Sequence, residues 1–388
     1  MKRKLMITTI EERIITSVME NDEIVEFHVS EMEETPYRLG SIYVGKVKRI
    51  LSNIRAAFIE VGKGMECYYD MDEKRSVPIR VGEEFPVQIS KEAVKTKQPT
   101  VTRNISLTGK YCVLTKGDLR IGVSNKIEKE KGAELKEILK PLQTEEYGFI
   151  IRTNAKDCAR EELIREAKKL SEEYERLMEI APQRVCFSCL REATAPYITD
   201  LKNMYQEGLE EILVEDSVLY EQMRAYLEEE QPEDLEKLRR YEDKLLPLHK
   251  LYGVEKKLSD ALKERVWMKS GAYLVIQPTE ALTVIDVNTG KCIGKKKDDK
   301  VYFKINLEAA KEAARQIRLR NLSGIILVDF VNLDDREKMT ELLEQFRKFL
   351  HQDPVQTVLV DMTKLQLVEV TRKKVRKPLY EAMSRNKG

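Results

Sequence analysis

Histidine is nearly absent from this 388-residue chain: the three copies, at positions 28, 249 and 351, lie in no convincing motif. That scarcity argues against a Ser-His-Asp triad or a histidine general base. No apolar run reaches the roughly 18–20 residues of a membrane helix, and 35% of residues are charged, so a soluble protein with no membrane partner is expected. The opening Met1-Lys-Arg-Lys-Leu-Met-Ile-Thr-Thr-Ile meets Glu11-Glu12-Arg13 too soon for a signal peptide, which makes the cytoplasm the expected location. Six cysteines (67, 112, 158, 186, 189, 292) are scattered through apolar sequence, the pattern of reduced, packed thiols. Cys186-Phe-Ser-Cys189 has ligand-like spacing, but no second such pair or paired histidines supply the four ligands of a structural zinc. The Gly290…Gly294-Lys-Lys-Lys stretch lacks the spacing and the Ser/Thr of a P-loop, which excludes nucleoside triphosphate binding there.

The net charge is only +1, yet the basic residues are clustered. They gather at 46–55, at 291–304 and in the tail from Arg372 to Lys387, while 159–180 and 206–243 are dense in glutamate. Local basic patches on a neutral protein suit a polyanion held in a groove, although solvated faces would read alike.

The chain opens with short strands near Lys4–Thr9, Arg13–Val18 and Ile24–Val29. Further strands at 40–51, 56–62, 66–69 and 85–90, punctuated by glycine, read as a small β-barrel of the OB type. Strands continue at Tyr111–Leu114 and Phe149–Arg152, with a helical piece near 131–141. A helix over 157–179 carries one apolar stripe of Leu163, Ala167, Leu170, Tyr174 and Leu177. Helices are expected from 202 to 266, broken at Pro232 and Pro247; beyond 271 strands and helices alternate, giving an α/β region within an α+β multi-domain chain.

Two aspartates end strongly apolar strands on either side of one helix: Asp286 in Ala281-Leu-Thr-Val-Ile-Asp-Val-Asn-Thr-Gly290, and Asp329 in Gly324-Ile-Ile-Leu-Val-Asp-Phe-Val331. In open α/β sheets the crevice at the strand C-termini binds ligands, and two carboxylates there form a hard oxygen site suited to Mg²⁺. Such residues also cap turns or pair with arginines. Asn288, two residues on, projects from the same strand face as Asp286 and is able to orient it. Asp334 and Asp335 read as the N-cap and first turn of a helix at 335–350. In the barrel, Phe58 and Tyr68 beside basic residues would stack bases while lysines, among them Lys91, Lys95 and Lys97, meet phosphates; Phe58 alone reads equally as core. Arg152-Thr153 at a strand end offers a guanidinium and a hydroxyl to a phosphate.

Taken together, these residues resemble the ribonuclease E/G family of endoribonucleases. The likeness runs through Ile42-Tyr-Val-Gly-Lys-Val, Ile105-Ser-Leu-Thr-Gly, Ile151-Arg-Thr, the two aspartate segments, Asn306-Leu-Glu-Ala-Ala, Arg315-Gln-Ile-Arg-Leu-Arg and Glu369-Val-Thr-Arg. The resemblance implies an RNase H-like subdomain from 1–36 and 198–261, an OB-fold RNA-binding domain at 37–101, a 5′-sensor region at 102–197 and a DNase I-like catalytic subdomain at 262–388. It implies that Asp286 and Asp329 bind Mg²⁺ and that Asn288 positions them. Phe58, Tyr68, Lys91 and Lys97 then contact single-stranded RNA, and Gly109, Val113, Arg152 and Thr153 hold a 5′-monophosphate. The implied activity is Mg²⁺-dependent cleavage of single-stranded RNA, with rRNA precursors and mRNA as substrates.

The sequence departs from the family at several points. Asn125 stands where the family has a sensor arginine, Gln356 replaces a further arginine, Tyr68 replaces a phenylalanine, and Asn332 replaces a second aspartate. The family's Cys-Pro-x-Cys zinc link does not follow the core, so a homodimer is expected rather than a zinc-linked tetramer. Two rival readings stand at this point: an RNA-binding, ribosome-associated regulator of the same fold that has lost catalysis, and a DNA nuclease.

Overall fold

A computed structural model of the protein describes residues 2–32, 37–71, 78–91, 98–243, 245–290 and 299–384. They form two compact units, one of residues 1–32 with 206–388 and one of residues 33–205. None of the helices described is long and apolar enough to cross a membrane.

The first unit holds two sheets. In one, the N-terminal meander β1 (Arg3–Ile10), β2 (Arg13–Glu20) and β3 (Glu23–Glu31) is extended by β14 (Leu209–Val214) and β15 (Leu238–Arg240), in the order β15-β14-β1-β2-β3. Both added pairings are parallel. These two strands lie where the sequence pattern reads as helical. Leu209-Glu-Glu-Ile-Leu-Val carries too little alternation to announce a partner about 200 residues away in the chain, and β15, which pairs with β14, is only three residues long.

The second sheet runs β16 (Arg265–Trp267), β17 (Tyr273–Pro278), β18 (Leu282–Asn288), β19 (Gly324–Asp329), β21 (Leu367–Arg372) and β20 (Thr357–Met362), in that spatial order. Only β18–β19 is parallel; the other four pairings are antiparallel. Strand residues alternate between faces, and here one set is fully buried: Leu274, Ile276, Ile285, Ile326, Val328, Val368 and Val370. They pack with Ala309, Ala310, Ala313 and Ile317 of helix Asp299–Leu319 and with Leu342 and Phe346 of helix Arg336–His351. Three alanines on the helical stripe let the first helix approach the sheet closely. The opposite face is half-buried to exposed along all six strands.

Two ion-pair networks fasten this unit. Arg318, on the helix, binds Glu20 at 3.0 Å and Glu26 at 2.6 Å, which ties the helix to the N-terminal sheet. Burial opposes ionisation of Glu26, but the Arg318 guanidinium overrides it and holds the carboxyl well below the usual range. Under β21, Arg372 donates to Asp353 at 2.7 Å and to Asn321 at 2.6 Å, and both members of the ion pair are 4% exposed.

The second unit contains a closed five-stranded barrel of the OB kind. Strands β4 (Ile42–Leu51), β5 (Ala56–Gly62), β6 (Met65–Asp70), β8 (Thr100–Thr102) and β7 (Glu84–Lys91) follow in that order, and β4 returns to pair with β7. Gly45 serves the closure: a Cβ there would lie 2.6 Å from Ile59 and 2.8 Å from Val87, so any side chain would spread the barrel. Strand β13 (Cys189–Arg191) extends its edge. A separate sheet of β11 (Gly122–Val123), β12 (Gly148–Ile151), β10 (Cys112–Thr115) and β9 (Ser106–Thr108) packs on helix Arg160–Ile180. That helix buries Leu163, Ala167, Leu170, Tyr174 and Leu177, the stripe read from periodicity.

Breaking the Arg372–Asp353 pair leaves a charge buried without its partner. Asp353→Ala is expected to lower unfolding free energy by about 3–5 kcal/mol, measured by urea denaturation, whereas alanine at exposed Asp361 is expected to change it by about 0.5 kcal/mol or less.

Candidate active site

Asp286 and Asp329 are register partners in the parallel β18–β19 pair. Neighbouring strands run about 4.8 Å apart, so the two carboxylates stand side by side on the same face of the sheet. That face is the open one, because their neighbours Ile285, Val287 and Val328 point into the helix-covered core. Asp329 is the last residue of β19 and Asp286 lies two residues before the end of β18, so the carboxylates stand at the C-terminal ends of a parallel strand pair. The sheet around them is mixed, with an antiparallel neighbour on each side of the pair.

Electrostatics follow from this pairing. The Asp329 carboxyl is pushed above its ordinary range, first by burial and then by the charge of Asp286. Asn288, one pleat repeat beyond Asp286, donates from Nδ2 to Asp286 Oδ2 at 2.5 Å and fixes that carboxylate's rotation. Asn306, fully buried on helix Asp299–Leu319, brackets Val331 with two hydrogen bonds, from its Nδ2 to Val331 O at 2.7 Å and from Val331 N to its Oδ1 at 3.0 Å. It pins the backbone just past Asp329. In the sequence Asn306 stands only as part of the Asn306-Leu-Glu-Ala-Ala motif, an amide among alanines, with no role attached. Asp335 accepts from the backbone N–H groups of Glu337 and Lys338, so it caps the following helix as expected, and Asn332 is exposed in the loop before it.

The donor set fits Mg²⁺. Two oxygen ligands of one charge sign, adjacent and mutually repelling, leave most coordination positions to water, as that ion prefers. Among the described residues no group of three or more His, Cys, Asp or Glu side chains gathers to hold a metal, so a zinc cage is not formed there. Cys189 is exposed and Cys186 half-buried rather than packed away, while burial raises the thiol pKa of both; Cys67 and Cys112 are buried as expected. Cys292 lies outside the described residues.

On the barrel, Arg49 pairs with Phe58, Phe58 with Tyr68, Tyr68 with Thr100, and Thr100 with Lys91. These five residues form one transverse row across five strands. The intervening Ala57, Ile59, Cys67 and Tyr69 fill the interior, so Phe58 belongs to the outer surface and not to the core. The Phe58 and Tyr68 rings meet edge to face at 6.2 Å, and the Arg49 guanidinium lies 4.1 Å over Phe58. Lys46 and Lys48, in the basic cluster at 46–55, are each paired with an acid across the sheet: Lys46 with Glu84 and Lys48 with Glu60, both at 2.9 Å. Lys91 is exposed at the end of β7, whereas Lys95 and Lys97 lie outside the described residues.

The smaller sheet gathers Gly109, Arg152 and Thr153. Arg152 donates to Gly109 O and, at 2.8 Å, to Asn203 Oδ1. Thr153 Oγ1 lies 2.9 Å from Ser124 Oγ, next in sequence to Asn125. At Gly109 a Cβ would lie 2.4 Å from the Glu166 carboxyl, so a larger residue would displace that side chain. That carboxylate accepts the backbone N–H groups of Lys110, Tyr111 and Cys112 at 2.7–2.8 Å, which shapes the turn between β9 and β10. Val113 is half-buried on β10 and pairs with Ile150. Ser124, Asn203 and Glu166 were not singled out from sequence, since each joins the cluster through a contact remote in the chain.

The raised Asp329 carboxyl has a stability consequence. The folded state holds this proton more tightly than the unfolded chain, so the contribution is favourable below the ordinary carboxylate range and is lost as pH rises through the raised value. Asp329→Asn is therefore expected to melt at a higher temperature than the wild type at pH 7, with the gap closing near about pH 4. Added Mg²⁺ is expected to raise the wild-type melting temperature and leave the variant's unchanged, followed by calorimetry.

The model of the ribonuclease E/G family matches residues 106–375. Ribonuclease G of Escherichia coli (strain K12) is 32% identical over 378 residues, covering 92% of this chain and 77% of that protein. Ribonuclease G of Haemophilus influenzae is 32% identical over 365 residues, covering 89% and 74%. Ribonuclease E of Nostoc sp. (strain PCC 7120) is 30% identical over 388 residues, covering 96% of this chain and 56% of its own length. The family match spans more than half of the chain and includes both aspartate strands: the chain belongs to the ribonuclease E/G family.

Proposed function

We propose that the protein is an Mg²⁺-dependent endoribonuclease that hydrolyses single-stranded RNA, acting in the cytoplasm on rRNA precursors and mRNA. The observation that carries this reading is the side-by-side pair Asp286 and Asp329 on an open sheet face, in a chain whose relatives are named ribonucleases. Asp286 and Asp329 hold the ion, and the Asn288 amide keeps the Asp286 carboxylate turned toward it. When bound, Mg²⁺ neutralises charge on the scissile phosphate and acidifies water. The protein's own part is positioning and charge.

The outer row of the barrel supports a role in gripping unpaired RNA: bases stack on Phe58 and Tyr68, and Lys91 with Lys97 meets the backbone. The cluster of Gly109, Val113, Arg152 and Thr153 supports recognition of a 5′-monophosphate by a guanidinium, a hydroxyl and backbone groups. We read residues 1–36 with 198–261 as the RNase H-like subdomain, 37–101 as the OB-fold domain, 102–197 as the sensor and 262–388 as the DNase I-like catalytic part, and expect a homodimer.

Asp286→Asn and Asp329→Asn are each expected to reduce cleavage of a single-stranded oligoribonucleotide in Mg²⁺ by about 10³-fold, several kcal/mol of transition-state stabilisation, while binding on a gel persists. Activity within about twofold of wild type ends the proposal, and wild-type binding without cleavage turns it toward the non-catalytic regulator. With 5′-monophosphate RNA the wild type is expected to cut faster than with 5′-hydroxyl RNA, and Arg152→Ala to erase that difference.

A further inference from the structure

The chain has a single tryptophan, Trp267, and the fold leaves it 65% exposed on the edge strand of the sheet that carries the aspartates. Edge strands are ordinarily blunted with charge or kept short, and a large aromatic in water forfeits its burial energy. Strand register gives the residue an address. Trp267 pairs with Tyr273, and Tyr273 pairs with Asn288. All three project from the open face, with Trp267 two strand spacings, about 10 Å, from the asparagine that orients Asp286. One pleat repeat away, a second row runs Arg265, Val275, Asp286 and Asp329. The two rings stand 4.8 Å apart at 50°, and the Arg265 guanidinium lies 5.4 Å from the centre of the Tyr273 ring.

We propose that Trp267, supported by Tyr273, is a stacking platform for a nucleobase flanking the scissile phosphate, with Arg265 neutralising the backbone beside it. This rests on the endoribonuclease reading above and extends it. Trp267 registers the strand within the catalytic sheet itself. Stacking on an indole is sequence-tolerant because every base has a π-face, and a guanidinium beside the rings adds both charge and a second stacking plane. A guanidinium interleaved with aromatics on the aspartate face favours a nucleic acid strand over an apolar protein partner.

The test uses the full chain, and the lone tryptophan makes its own fluorescence the reporter. A single-stranded oligoribonucleotide titrated in EDTA, where it stays intact, is expected to quench the emission saturably. In Mg²⁺, Trp267→Ala is expected to raise KM by about 5- to 150-fold, the range of base–aromatic stacking, with a smaller change in kcat, and Trp267→Phe to recover most of the loss. Because the ring is exposed, the alanine variant is expected to melt as the wild type does, which separates positioning from folding. Wild-type cleavage with unchanged emission and an alanine KM within twofold overturns the platform while leaving the ribonuclease reading intact. Emission that follows protein concentration instead of RNA overturns it in favour of contact with a second copy. A wild type that cuts no RNA sinks the underlying reading, and the titration is then scored separately.

Discussion

The parallel pairing of β18 with β19 is the constraint on which the site depends. It sets Asp286 against Asp329 at one strand spacing, a juxtaposition that repulsion alone would dissolve. What opposes the repulsion is packing on the other face: Ile285, Val287, Ile326 and Val328 are locked under two helices. A pleat of period two cannot move one set without the other, so a one-residue slip that separated the carboxylates would also turn the core outward. The burial energy of the covered face therefore holds two like charges together on the open one.

The support around the pair has the same logic of remote contacts enforcing local geometry. Asn306 reaches from the covering helix to clamp Val331, which fixes the chain where Asp329 leaves its strand. Arg318, three turns further along the helix, fastens that element to Glu20 and Glu26. The helix is thus held at one end by a buried amide and at the other by a buried charge network. Neither residue faces the open side of the sheet, yet both restrict where the carboxylates point.

In the other unit, the barrel and the smaller sheet present chemistry differently. The barrel interior is apolar, and its outer row alternates cation, ring, ring, hydroxyl and cation from Arg49 to Lys91. The lysines most conspicuous in the sequence, Lys46 and Lys48, are partly neutralised by cross-strand acids, so a run of basic letters overstates the positive surface. The smaller sheet gathers its polar groups through turns, with Glu166 holding three successive backbone amides.

Much of this was legible in the residues. The stripe of helix Arg160–Ile180, the alternating barrel strands and the two apolar runs ending in aspartate each have a period or a stop signal confined to a short window, and local physics suffices to read them. The family likeness was legible for a similar reason, being carried by contiguous segments. Of the missed strands, β15 and β16 are three residues long, and β14 depends on β1, about 200 residues away in the chain. Tertiary structure alone decided that Asp286 meets Asp329 in register, that their face stays open, that Phe58 points outward and that Trp267 is bared on the same face two strands from Asn288. Those outcomes depend on which strands neighbour one another, and the free energy that selects neighbours comes from burying faces contributed by separate parts of the chain.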